Sequence, residues 1–218
     1  MSKLQTAWHL LTTDRGEFCA SLLQRYSRLF KNDERYLKLL FRCKMGYWMD
    51  FQHPKTFNEK LQWLKLHDRK PEYTKLVDKA AVKQVIADKI GGEYIIPTLG
   101  IWEKPESIEW DKLPNQFVLK TTHGGGGSGV VICKDKSTLD KQKAILRLKA
   151  SLKTDVYQSL REWPYKNVPK RIIAEKYLED ETGNLKDYKF YCFNGQAYCV
   201  MLCEDRAIGD TKFYYFDR

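Results

Sequence analysis

The sequence predicts an α+β protein, with helices in its first half and short strands and hairpins in its second. Three observations carry this. Apolar residues between positions 20 and 90 recur at helical spacing. From Phe117 onward the pattern changes to short apolar runs separated by glycine-rich or polar turns. Late in the chain, Asn194-Gly195 sits between two apolar runs, the strongest short signal for a two-residue hairpin.

Taken in order, residues 20–45 read as two helices. Leu22, Leu23, Tyr26, Leu29 and Phe30 lie near one face, and Tyr36, Leu39, Leu40 and Cys43 repeat the pattern after a polar break at Asn32-Asp33-Glu34. Gly46 is placed to end the second helix. Thr56 and Glu59 have capping-box spacing, so a third helix starts there, with Phe57, Leu61 and Leu64 as its apolar stripe and Pro71 as its stop. Asp78 is an N-cap residue type, which opens a fourth helix whose buried face is Val82, Val85, Ile86 and Ile90, ending at Gly91-Gly92. Residues 94–102 read as a strand entered through a proline turn. Phe117 to Lys120 and Val130 to Cys133 are strands joined by a glycine loop. Residues 137–162 are helical, 171–178 a strand running into a polar turn, and 188–193 and 197–203 the two arms of a hairpin, with a further strand at 212–216. The chain stops where that last strand is finishing, and a covering layer is expected beyond it.

Composition narrows the function. A chain of 218 residues with 43% hydrophobic and 30% charged residues has enough apolar surface for a real core and is not disordered. No apolar run has the length of a membrane span, and the N-terminus does not read as a signal peptide. The six cysteines form no Cys-x-x-Cys pair, so they read as reduced, buried thiols of a cytoplasmic protein rather than as a zinc site. A net charge of +10, concentrated in residues 24–45 and 134–176, attracts polyanions without choosing among them.

The loop Gly124-Gly125-Gly126-Gly127-Ser128-Gly129 is the strongest local signal for chemistry. Gly124, Gly126 and Gly129 formally satisfy Gly-x-Gly-x-x-Gly, but Val130-Val131 follows, so no helix begins there as a dinucleotide-binding loop requires. No Gly-Lys-Ser/Thr follows either, which excludes a P-loop. What remains is a flap between two strands, whose bare backbone N–H groups suit phosphate. Lys120 ends the strand before it and points an ammonium toward whatever the loop covers; a plain surface lysine is an equal reading of that position. Asp78-Lys79, at a helix start, adds an anion-friendly N-terminus and a second positive charge, with a solvated lysine as the stronger reading on position alone. Glu175-Lys176-Tyr177-Leu178 is a strand edge leading to a loop, with backbone groups and an apolar side chain of the kind that read an adenine ring.

In this order the pieces resemble the ATP-grasp superfamily: Asp78-Lys79; Phe117 to Lys120 before the glycines; Glu175 to Glu179 as a hinge strand; and Asp187-Tyr188-Lys189-Phe190 opening a second sheet. Two longer stretches, Pro54 to Trp63 and Asp187 to Gly195, resemble the branch linked to teichuronopeptide and other surface-polysaccharide synthesis. The resemblance covers roughly residues 35–218. It implies two α+β subdomains clasping a nucleotide behind a helical N-terminal region: residues 1–70 helical, 71–175 the small subdomain with its flap, and 176–218 the start of the large one. It further implies that Lys79 and Lys120 hold ATP phosphates and that His123, Gly124, Gly125, Gly126, Gly127 and Ser128 close over them. Glu175 would bind near the adenine amino group or ribose, and Lys176, Tyr177 and Leu178 would contact adenine. Lys120 and Lys189 would be the catalytic lysines.

The implied reaction activates a carboxylate with ATP as an acyl-phosphate, which an amine or thiol then attacks, with lysines and Mg²⁺ neutralising the transferring phosphoryl group. The implied partners are ATP and an amino-acid or uronic-acid/polysaccharide acceptor, without nucleic acid and with peripheral contact to the inner membrane face. The family's Mg²⁺ ligands, acidic residues and an asparagine on late strands, have no counterpart here; Glu204 and Asp205 come too early, and the ligands are expected beyond residue 218. Three other readings compete. A glycosyltransferase of the same biology lacks its Asp-x-Asp motif here. A kinase-like phosphotransferase lacks His-Arg-Asp and Asp-Phe-Gly, and its lysine would follow the loop rather than precede it. A non-catalytic nucleotide-binding fragment is the third.

Overall fold

The computed structural model describes residues 9, 12–125, 127, 129–181, 185–204 and 211–217. The chain divides into two compact units, Met1–Lys176 and Tyr177–Arg218. Both helices and antiparallel sheets are present, as an α+β reading requires.

In the first unit, α1 (Arg15–Arg25) is capped by the Asp14 carboxylate and α2 (Asp33–Met45) by the Asn32 side chain. Gly46 ends α2 in the left-handed conformation, at φ 79°. The helices pack through Ala20, Tyr36 and Leu40, joined by Leu23, Phe30 and Cys43. Much of the apolar face expected on α1 is therefore outside the core: Leu22, Tyr26 and Leu29 are exposed. Helix α3 (Phe57–His67) starts at a complete capping box between Thr56 and Glu59. Its expected stripe is corrected, because Phe57, Leu61 and Leu64 are exposed while Trp63 and Leu66 pack on Leu37, Phe41, Met49 and Phe51. Pro71 does not stop this helix, which has ended at His67; it starts a short further one, α4 (Glu72–Val77).

Helix α5 spans Ala81–Ile90, so Asp78 does not directly open it. Asp78 nonetheless does a cap's work just ahead of it, since its carboxylate accepts the Ala80 N–H at 2.9 Å and its carbonyl accepts the Val82 N–H. None of the α5 residues expected to be buried is fully so, and Ile86 and Ile90 are exposed. The long helix expected over 137–162 is two helices, α6 (Lys141–Leu152) and α7 (Val156–Leu160), because Asp155 caps a new start.

Four antiparallel strands, β1 (Thr98–Trp102), β2 (Phe117–Thr121), β3 (Val130–Cys133) and β4 (Ile172–Lys176), form a sheet in the order β1-β4-β2-β3. Alternation sorts its side chains. Phe117, Leu119, Val131, Cys133, Ile172 and Ala174 face Ala144 and Leu148 of α6 and form the main core. Lys120 and Glu175 therefore project from the opposite face. Their register, Val118 opposite Glu175 and Lys120 opposite Ile173, makes them diagonal neighbours there. Strand β4 is buried on both faces from Ile172 to Glu175.

The second unit is a three-stranded antiparallel sheet of β5 (Asp187–Phe193), β6 (Gln196–Glu204) and β7 (Lys212–Asp217). Asn194 at φ 50° and Gly195 at φ 77° make its tight turn. All six cysteines are free, but only Cys133 and Cys203 are buried, while Cys19 and Cys192 are exposed. Among the described residues no helix is long and apolar enough to cross a membrane.

Candidate functional site

The outer face of the first sheet carries a cleft of about 80 Å³, lined by Lys79, Lys120, Gly124, Gly125, Gly127 and Gly129 among others. Lys120 reaches it from β2, one residue before the strand ends. Lys79 reaches it from a segment pinned at two points. Its own N–H donates to the Thr122 carbonyl at 3.2 Å, and the preceding Asp78, buried, binds the Arg171 guanidinium at 2.7 Å. Thr122 in turn donates its N–H to the Arg171 carbonyl at 2.8 Å, so the loop carrying Lys79, the root of the flap and the start of β4 share one network. The Lys79 ammonium donates to the Gly124 carbonyl, closing the cleft from below the flap.

The flap's glycines divide by environment. A Cβ at Gly124 would meet Thr121 Oγ1 at 2.5 Å, and one at Gly129 would collide with the Ser151 side chain. Thr121 and Ser151 are themselves hydrogen-bonded at 2.8 Å, so both flap roots sit against this pair. A Cβ at Gly125 or Gly127 meets nothing, and Gly127 adopts φ 76°. Gly126 and Ser128 lie outside the described residues.

Three lysines surround one carboxylate. Glu175, 5% exposed, accepts an ion pair from Lys120 through Oε2 and another from Lys83 through Oε1 at 2.7 Å. Lys83 is one helical turn beyond Lys79 on α5, and sequence reasoning passed over it. The i, i+4 spacing from Lys79 was the signal available. With Lys79 included, the group carries more positive than negative charge, which suits an anion. Burial pushes the Lys79 ammonium below the ordinary lysine range, and Lys120 adds to that, while Asp78 and Glu175 oppose it.

Of the remaining candidates, His123 and Lys176 belong to the first unit, and Tyr177, Leu178 and Lys189 to the second. His123 is buried and is not among the residues lining the cleft; among the described residues neither ring nitrogen has a hydrogen-bond partner. Burial, then the nearby Lys170, lowers its pKa, so it is neutral at pH 7. The Lys176 N–H donates to the Pro97 carbonyl at 3.0 Å and is not free to read a base. In the second unit, the Tyr177 hydroxyl donates to Glu179 at 2.8 Å, Leu178 is exposed, and Lys189 pairs with Asp187 on β5 at 2.6 Å. That unit also holds a larger concavity of about 570 Å³, but it is an open sheet face lined by residues such as Tyr198, Val200 and Phe216, without lysines or bare backbone.

A model of the TupA-like ATPgrasp family matches residues 59–217. This chain belongs to that family. Comparison with curated proteins and with solved structures gives no match. Membership in the TupA-like ATPgrasp family agrees with the resemblance carried by the stretches at 54–63 and 187–195, and makes ATP the anion to test first against the cleft. The fit is good for phosphate: two ammonium groups, an open glycine tip, and a net positive charge. It is poor for a resident Mg²⁺. Among the described residues no group of three or more His, Cys, Asp or Glu side chains gathers in a way that holds a metal, and Glu175, the acid paired with Lys120, is occupied by two lysines. A TupA-like ATPgrasp cleft of 80 Å³ is also smaller than the few hundred Å³ of an ordinary ligand site. The flap and Lys79 close it in the form described.

Proposed function

We propose that this chain binds ATP through the cleft on the outer face of its first sheet. In this reading it acts as an ATP-dependent carboxylate–amine ligase in the synthesis of a cell-surface polysaccharide, through an acyl-phosphate. The observation that carries the reading is the convergence of Lys79 and Lys120 beneath one glycine flap, in a chain of the TupA-like ATPgrasp family. The two lysines would hold the phosphates and offset the charge of the transferring group. Gly125 and Gly127 would lay backbone against phosphate oxygens. Entry of a triphosphate requires the Gly124 carbonyl to release Lys79 and the flap to lift.

The finer roles belong to the same proposal. Residues 71–175 act as the small subdomain and 176–218 as the start of the large one, the two clasping the nucleotide. Adenine is read at Lys176 to Leu178, by groups other than the Lys176 N–H. Lys189 serves the phosphates or the acceptor, an amino acid or uronic acid on a growing glycan. The work is placed at the cytoplasmic side of the membrane.

The test is calorimetric titration of the chain with MgATP, followed by phosphate release in the presence of candidate amino acids and uronic acids. Lys79→Met and Lys120→Met are each expected to weaken binding at least tenfold, the loss of one charge-assisted contact to phosphate. Unchanged affinity in both variants removes the nucleotide site. Binding without any acceptor-dependent phosphate release removes the ligase reading and leaves a nucleotide-binding protein.

A further inference from the structure

Lys83 and Lys120 share the Glu175 carboxylate, but their situations differ. Lys83 is fixed by two bonds away from the cleft, to Glu175 at 2.7 Å and to the Ile96 carbonyl at 2.5 Å, with its side chain 15% exposed. It is not among the residues lining the cleft. Lys120 lines the cleft, holds the other oxygen of Glu175, and is more exposed. One lysine is therefore the standing counter-ion of Glu175, and the other is free to change partner.

From this asymmetry we infer that Lys83 is a positioning residue that allows Lys120 to transfer from Glu175 to the nucleotide phosphates. The inference rests on the cleft being the nucleotide site proposed above. In the empty protein Glu175 takes the place of a phosphate anion, keeping the Lys120 ammonium aimed beside the cleft. When phosphate arrives, Lys120 exchanges one anionic oxygen for another. The carboxylate left behind is buried, and an uncompensated buried charge is costly. Lys83 removes that cost by staying in place. It needs no contact with ATP to affect ATP binding.

Among the described residues Glu175 has ion pairs with Lys83 and Lys120. Lys79 is engaged with the Gly124 carbonyl and points at the cleft itself. Arg171, the nearest guanidinium in the network, is bound to Asp78. The loss of Lys83 would leave Glu175 with Lys120 as its sole ion-pair partner among the described residues, and would hold Lys120 away from phosphate.

The experiment measures MgATP affinity by calorimetry for the wild-type chain and for Lys83→Met, Lys83→Arg, Glu175→Gln, Lys120→Met and the double variant Lys83→Met/Glu175→Gln. Thermal melts of each report folding. Lys83→Met should lose on the order of tenfold in affinity. Lys83→Arg should recover much of it. The double variant should bind better than Lys83→Met alone, because with no carboxylate to neutralise, Lys120 is released. A purely structural lysine shows such a rescue in the melting temperature and none in the affinity measured where every variant is folded. The same series with inorganic triphosphate, which has no base, should reproduce the pattern at the phosphate end.

Wild-type affinity in Lys83→Met, or a double variant weaker than Lys83→Met, overturns the inference while leaving the nucleotide site intact. Failure of the wild-type chain to bind MgATP overturns both together, while Lys120→Met binding as well as wild type overturns the inference alone unless Lys79→Met is equally silent. If Lys83→Met does not fold, the comparison of Lys83→Gln with Lys83→Gln/Glu175→Gln decides, by the same requirement that removing the carboxylate restores affinity.

Discussion

The guanidinium of Arg161 lies over the ring of Tyr36, 4.3 Å from its centroid, tying α7 to the N-terminal helices. Tyr36 returns the contact by donating its hydroxyl to the Ser159 carbonyl at 2.7 Å. Arg161 is 1% exposed and also donates to the Ser27 and Phe30 carbonyls at 2.9 and 2.8 Å. Its Nε lies 2.8 Å from Asp33, which Arg69 and Tyr157 bind as well. Burial alone would raise the Asp33 pKa; Arg69, Tyr157 and Arg161 outweigh it and hold the carboxyl below its ordinary value.

Arg161→Leu is expected to cost about 3–5 kcal/mol, the range for breaking a buried charged network from one side. It strands three carbonyls, those of Ser27, Phe30 and Gln158, and removes cation–π contacts with Tyr36 and Tyr157 as well. Arg161→Lys should recover little, because one ammonium cannot span Asp33 and all three carbonyls. Urea unfolding of the chain checks both values.

The flap makes a paired prediction. Gly129→Ala should lower stability by about 1–3 kcal/mol, since its Cβ drives into Ser151, the partner of Thr121. Gly125→Ala should be nearly neutral, because its Cβ meets open space. Thermal melts of the two variants distinguish a flap root from a flap tip.

Lys79 sets a pH dependence. Its ammonium is held below the ordinary lysine range, burial being the main cause. Phosphate needs the charged form, so MgATP affinity should be level at neutral pH. It should fall as pH rises through this lowered value, earlier than for an ordinary lysine. Folding runs the other way: the unfolded chain holds that proton more tightly, so this group's contribution to stability rises over the same window. Lys79→Met should abolish the early alkaline fall in affinity, read by calorimetry across a pH series.

In the second unit, Gly195→Ala should cost about 1–2 kcal/mol, because the turn needs φ 77° there and alanine resists it. Faster hydrogen exchange along β5 and β6 is the readout.

What could be read from the residues was mostly local. The capping box at Thr56 and Glu59, the left-handed stop at Gly46, the β2–β3 hairpin and the Asn194-Gly195 turn each depend on a few neighbouring side chains. The sequence supplies all of those. The faces of the helices were harder. Helix α3 has apolar residues on more than one side, and the packing of Trp63 and Leu66 against α2 residues, not periodicity, decided which side was covered. The joint hold of Lys83 and Lys120 on Glu175 was hidden for a similar reason. It joins a helix to two strands far apart in sequence, and in the sequence Lys83 is one lysine among many. Arg161 was hidden likewise, since a charged residue reads as surface until its distant carbonyl partners are known.

Strand β7 has every residue exposed, including Phe213, Tyr214, Tyr215 and Phe216, and among the described residues it is an edge strand of its sheet. Such an edge is a template onto which another chain can lay a strand, and aromatic faces on either side would strengthen the pairing. A lysine or proline placed within β7 should lower self-association of the chain at high concentration, read by light scattering over a concentration series.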